Sequence, residues 1–298
     1  TNSSGSQNTA VGVRSMEDST TSSDNTAIGW GSLTQNTTGA NNAAIGRSAL
    51  GTATTASNNT AVGYIAGLNI LTGDQNTLIG AAAGDALTVG NSNVAVGFES
   101  LSGDTKGDRN VAIGRAALQA QNFTSTTDAY NVAVGYGAGE SITTGVSNTF
   151  VGGLAGDGTD DGVGNVAVGV LALSANCGNS NTAIGPEALS ACTGSTNSAL
   201  GKDAGLSNTS GGNNLYLGFQ TGITGSPGGA QTTASNVIFL GDENITNIYA
   251  AVSSIGTSDE RDKTDFTALD LGLDFVKNLK PVTYYWDKRS KYGDKYAE

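Results

Sequence analysis

The stretch Thr257-Ser-Asp-Glu-Arg-Asp-Lys263 holds five charged side chains in seven residues, in a chain that is only 13% charged. Two kinds of chemistry fit it. Ser258 carries a hydroxyl that needs a base before it can act as a nucleophile, and the chain has no His. A Lys serves as that base when burial lowers its pKa, because desolvation disfavours the ammonium form. The other reading is structural. Thr257-x-x-Glu260 has the spacing of a helix capping box, in which a hydroxyl and a carboxylate satisfy free backbone N–H groups.

Other residues carry weaker signals. Cys177 and Cys192 lie in ALSANCG and ALSACTG, which align as neighbouring repeats. They are either a disulfide between stacked coils or two small core thiols. Gly156–Gly164, GDGTDDGVG, would bind Ca²⁺ through acidic side chains and loop carbonyls, or is a solvated turn, since the twelve-residue calcium-loop pattern is absent. Gln119–Tyr130, QAQNFTSTTDAY, is an insertion with Phe123 and Tyr130 expected at the surface, either a recognition loop or a tolerated one. Thr9, Thr26, Thr60 and Thr77 form a ladder of the kind that would face ice or a crystal, but Val breaks it after Asn93, Asn110 and Asn131. No pair of carboxylates recurs at a fixed position, so the repeat lacks what glycoside hydrolysis needs.

The frame that must position these residues is a repeat. Asn recurs at 8, 25, 42, 59, 76, 93, 110, 131, 148, 165, 181, 197 and 214, each followed four residues later by Gly. Most spacings are 17 residues; two are 16 and one is 21. The unit reads N-[TV]-A-[IV]-G-x-x-[AS]-[LG], followed by a polar loop. With 44 Gly and 18 aromatics in 298 residues, a conventional core is out of reach. Recurring Val, Ile and Thr speak against disorder.

Seventeen residues suit one coil of a parallel β-solenoid, with two short strands and two turns. Stacking thirteen coils at the strand spacing gives a shaft about 60 Å long. Alternation along the strand is expected to bury Val11, Ile28, Ile45, Val62 and Ile79 in one apolar file. Ala10, Ala27, Ala44 and Ala61 then point outward and, beside the Gly file, make a flat surface that another chain approaches closely. The Asn side chains are expected to hydrogen-bond to their own copies in adjacent coils. The repeated Gly suits positive φ or close backbone approach.

The net charge of −12 excludes a nucleic-acid partner. No apolar run approaches the roughly 20 residues of a membrane span, so no membrane insertion is expected. No cofactor and no metal are expected.

The repeat resembles the heads of trimeric autotransporter adhesins, which are β-rolls of three chains side by side. From Ser258 the composition switches: residues 258–298 hold 8 of the 14 basic residues and 7 of the 18 aromatics. LGLDFVKNL reads as a helix with Leu271, Phe275 and Leu279 on one face, stopped by Pro281; VTYYW alternates Val282, Tyr284 and Trp286 as a strand. SDERDKTDF followed by GLDFVKNLKPVTYYWD resembles the C-terminal intramolecular chaperone of phage tail fibres and tailspikes, the endosialidase-type, self-cleaving peptidase family. That resemblance implies three chains assembling around the chaperone, then a cut between Thr257 and Ser258. It implies Ser258 as nucleophile, Lys263 as general base, and Asp259 and Arg261 as positioning groups.

The family domain runs on beyond this length, so 258–298 reads as the start of a chaperone. The expectation is an all-β, trimeric solenoid shaft over 1–222, a β-rich neck over 223–257, and a small α+β chaperone fragment over 258–298. The resemblance implies a homotrimeric fibre of a virion tail that attaches to a host cell-surface receptor, glycan or protein. The resemblance implies no conventional enzyme, only a single self-cleavage by a Ser-Lys dyad, which a chain with an incomplete chaperone is expected to perform poorly or not at all. The alternative is a bacterial trimeric surface adhesin.

Overall fold

A computed structural model describes residues 4–247. The described residues are all-β and form a parallel β-solenoid. Each Asn-led unit contributes one three-residue strand, from Thr9–Val11 to Leu215–Leu217. The strands make a single parallel sheet in chain order, every residue opposite its counterpart one coil on, as Thr60 is opposite Thr77 and Val62 opposite Ile79. The coil has one such strand where two were expected, because left-handed residues cut the rest into turns. In one coil alone Asn58, Ile65 and Gly67 sit at φ of 61°, 52° and 59°. The 21-residue coil adds a short parallel pair, Gly107–Asp108 with Thr127–Asp128.

The sheet runs one strand past the thirteen copies. Ile238–Leu240 pairs with Leu215–Leu217. Val237 takes the place of the leading Asn, its N–H donating to Asn214 Oδ1 at 3.0 Å. Asn236, at φ 63°, corresponds to Asn213 at φ 55°. The solenoid therefore continues into the segment read as a neck. The chain divides into two compact units at residues 246 and 247, and the helix and strand expected within 258–298 lie outside the described residues.

The two faces of the strand are the reverse of the expected ones. Ala27, Ala44, Ala61, Ala95 and Ala112 are fully buried, whereas Ile28, Ile45, Ile79 and Ile113 are 38–40% exposed. Counting the Asn as position one, position three points into the coil and positions two and four point out. A coil closed by tight turns has a narrow lumen, and only a small side chain fits opposite the Leu that enters from position nine.

That lumen explains the two forms of the motif's ninth position. It is Leu in the Asn25, Asn42 and Asn93 coils, where position three is Ala. In the last strand Phe239 holds position three and stacks on Tyr216. Among the thirteen Asn-led coils, three carry a large residue there: Leu78, Phe150 and Tyr216, all fully buried. Each lies between two position-nine glycines, its own coil's and that of the coil before. A Cβ on Gly67 or Gly84 would stand 2.7–2.8 Å from a methyl of Leu78. Gly139 and Gly156 are placed the same way against Phe150, and Gly205 and Gly222 against Tyr216. One large side chain thus enters the space that two leucines fill in other coils, leaving no room for a side chain at either glycine.

Two further ladders tie coil to coil. Asn42 Oδ1 accepts from Asn59 N and from Asn59 Nδ2, at 3.0 and 3.3 Å, and Asn59 Nδ2 also donates to Gly73 O at 2.9 Å. The same pattern recurs at Asn76 and Asn93, so buried amides are satisfied as burial requires. Asn165, which opens the first 16-residue coil, keeps an unpartnered Nδ2. The Gly of position five, such as Gly97 at φ 138°, lies so close to the next coil that a Cβ would sit 2.5 Å from Gly114 O.

Candidate functional site

The outward face of the sheet is apolar from end to end. Position four is Val, Ile or Leu in all fourteen coils, and position two is mostly Thr or Val. Val11, Leu200 and Leu217 are 56, 49 and 42% exposed. Position two is Thr or Ser in half of the coils, so position four is the continuous apolar file, and one unbroken over about 60 Å marks an interaction surface. The exposed apolar surface is therefore this one, and not the Ala and Gly files, of which the Ala side chains are buried.

Beside it, at position six, runs a second exposed file that the sequence reading did not single out. Arg47 lies with its guanidinium 5.3 Å from the Trp30 ring centroid and 5.6 Å from that of Tyr64. Four coils on, Arg115 lies 5.9 Å from Phe98 and 5.4 Å from Tyr136, and donates to the Tyr136 hydroxyl at 3.0 Å. Lys202 stands 5.7 Å from Phe219. The signal was present in the alignment: the residue after the repeated Gly alternates between aromatic and cationic over Trp30, Arg47 and Tyr64 and again over Phe98, Arg115 and Tyr136.

Cys177 and Cys192 are buried and free, which decides against a disulfide. Burial pushes the Cys192 thiol up to about 11. Its sulfur takes Asn197 Nδ2 and Asn208 Nδ2 at 3.4 and 3.5 Å, so it packs as a small core group and is a poor thiolate. In the insertion, Phe123 is buried at 6% exposure, contrary to expectation, because the loop folds its ring inward and its N–H approaches Asp104 Oδ1. Tyr130 is exposed as expected, under the Arg109 guanidinium. In the acidic loop, Asp160 accepts from the Thr143 hydroxyl. Among the described residues no group of three or more His, Cys, Asp or Glu side chains is placed to hold a metal.

Thr257, Ser258, Asp259, Arg261 and Lys263 lie outside the described residues. Residues 258–297 match the family described as chaperone of endosialidase. The match begins at Ser258, the residue after the expected scissile bond. No curated protein and no solved structure matches the chain. No helix among the described residues is long and apolar enough to cross a membrane.

Proposed function

We propose that the chain is the distal part of a homotrimeric phage tail fibre that serves host attachment, with a C-terminal chaperone that assembles three chains and is then released. The observation that carries this reading is the chaperone match at 258–297, C-terminal to a solenoid whose sheet exposes an apolar file along its whole length. The match supports the phage reading over that of a bacterial surface adhesin. Three copies meet through positions two and four, which hide the apolar files about a common axis. The fibre is displayed on the virion, outside the host cell.

Release is a single turnover. The Ser258 Oγ adds to the Thr257 carbonyl carbon, and neutral Lys263 takes the hydroxyl proton. The Thr257–Ser258 C–N bond breaks as that proton passes to the departing nitrogen. This leaves an ester between the Thr257 carbonyl and Ser258 Oγ. Water hydrolyses the ester, giving a Thr257 carboxylate and restoring the hydroxyl. Asp259 and Arg261 hold the segment in place.

Intact mass and light scattering test both halves on a chain carrying a complete chaperone. The expected product ends at Thr257 and is trimeric. Ser258→Ala and Lys263→Ala leave the chain whole, and so does Lys263→Arg, because a guanidinium stays protonated and accepts nothing. Cleavage in Lys263→Ala removes Lys263 as the base and favours the capping-box reading of Thr257 and Glu260.

A further inference from the structure

The file at position six has a composition that the solenoid does not need. Residues 1–257 contain only six Lys and Arg against seventeen Asp and Glu. Three of those six cations occupy position six, each against an exposed ring. Arg47 and Arg115 form no ion pair among the described residues. Each guanidinium lies between two exposed rings, and Arg115 also donates one N–H to the Tyr136 hydroxyl. A guanidinium with no acidic partner keeps further N–H donors with which to grip a carboxylate or sulfate.

We infer that the two triads, Trp30–Arg47–Tyr64 and Phe98–Arg115–Tyr136, bind an acidic polysaccharide, the rings stacking on sugar faces and the arginines pairing with its acidic groups. This deepens the attachment reading and rests on it, by naming the ligand class. The charge spacing selects the class. Arg47 and Arg115 stand four coils apart, about 19 Å. A nucleic-acid strand carries a charge every roughly 3.4 Å and would meet the acidic remainder of the shaft. A polysaccharide with an acidic group on every sugar or every second sugar carries fewer charges over the same length and meets less of that repulsion. The same charges place the triads off the assembly axis, since a three-fold axis would bring each Arg against its own copies.

The test titrates fluorescent hyaluronan, alginate and chondroitin sulfate into the intact chain by anisotropy, with neutral dextran and a dT oligonucleotide beside them. At least one acidic glycan binds about tenfold more tightly than dextran, the worth of one charge-assisted contact, and more tightly than the oligonucleotide. Arg47→Gln with Arg115→Gln erases the advantage over dextran. Trp30→Ala with Phe98→Ala weakens binding to the acidic glycans and dextran alike. Binding to none of the three acidic glycans, unchanged binding in both variants, or preference for the oligonucleotide overturns the inference. So does loss of trimer mass in either variant, which would put the stripe between copies of the chain. A trimer that binds no acidic glycan refutes this inference and leaves the trimeric reading intact. A monomer that binds one does the reverse.

Discussion

The volume exchange in the lumen predicts a reversal of sign. Phe150 is fully buried between Gly139 and Gly156. Phe150→Ala opens a cavity and is expected to cost about 3–5 kcal/mol. Gly139→Leu in the unaltered chain places a Cβ 2.9 Å from Phe150 Cδ2 and 3.0 Å from Leu118 Cδ2, and Gly156→Leu places one 2.6 Å from Phe150 Cζ. Each is expected to cost about 1–3 kcal/mol by overpacking. In the Phe150→Ala background the same two changes should stabilise. The triple variant rebuilds the arrangement around Ala44, which packs with Leu33 and Leu50 in full burial. The backbone accepts it, since Gly139 and Gly156 sit at φ 60° and 63°, near the 46° and 49° of Leu33 and Leu50. Two buried leucines return roughly 1.5–3 kcal/mol each, enough to recover most of the loss. Urea unfolding followed by far-UV circular dichroism reads all five proteins. If Gly139→Leu alone leaves the midpoint unchanged, or the triple variant is no more stable than Phe150→Ala, the exchange account is wrong.

Adjacent glycines should respond oppositely to alanine. Gly152, at φ 139° and with Gly169 O 2.5 Å from an added Cβ, is expected to lose about 1–3 kcal/mol from backbone strain alone. Gly153, with nothing within 4 Å, gains about 0.4–1 kcal/mol; the same urea melts compare them. Leu78→Asp buries a charge in the lumen and should abolish folding of the shaft. Ile79→Asp, on the outward face, should keep the circular dichroism spectrum and lose the trimer in light scattering. Burial holds the carboxyls of Asp85, Asp104 and Asp157 above the ordinary value of 3.8, so the fold binds their protons more tightly than the unfolded chain. Stability then falls as pH rises from that value through the raised ones. The melting temperature should be higher near pH 4 than at pH 7, and Asp85→Asn with Asp157→Asn should flatten the difference.

The coil, its stacking and the Asn ladder were legible because the repeat is nearly exact and each position has one dominant residue. The direction of the strand was not. Alternation says that Thr26 and Ile28 share a face and that Ala27 takes the other, but it does not say which face is the lumen. Hydrophobicity pointed to Ile28 as core. The deciding quantity was space, set by turns whose left-handed residues, such as Leu33 and Leu50, carry no mark that distinguishes them from ordinary helix formers. The clue to space was the pairing of Leu78, Phe150 and Tyr216 with glycines at position nine, a correlation across coils and not within one. The last strand was hidden for a simpler reason: Val237 stands where every other coil has Asn. Ser258 and Lys263 lie outside the described residues, so the self-cleavage proposed for them rests on the motif alone, and a Lys becomes a base through burial that a motif does not record.

Repetition also creates a problem that the two ends of this chain answer together on the trimeric reading. An outward face with Val, Ile or Leu at position four in every coil pairs nearly as well when one chain slips by a whole coil as when it is level, since only one coil's contact is lost. Local packing therefore specifies the partner but hardly the register. The departures from 17 residues supply part of the missing information. The 21-residue spacing after Asn110 and the 16-residue spacings after Asn165 and Asn181 change where loops leave the shaft, and a slipped chain would set one against a regular coil. Those marks act only after a large part of the shaft has formed. A device that joins three chains at one end before the coils stack fixes the register at the first contact, when correcting it requires least unfolding. Once the shaft is closed, that device adds nothing to register, because slipping would then break every coil contact at once. A chaperone match that begins at residue 258, C-terminal to the repeats, with the release proposed before Ser258, fits both requirements.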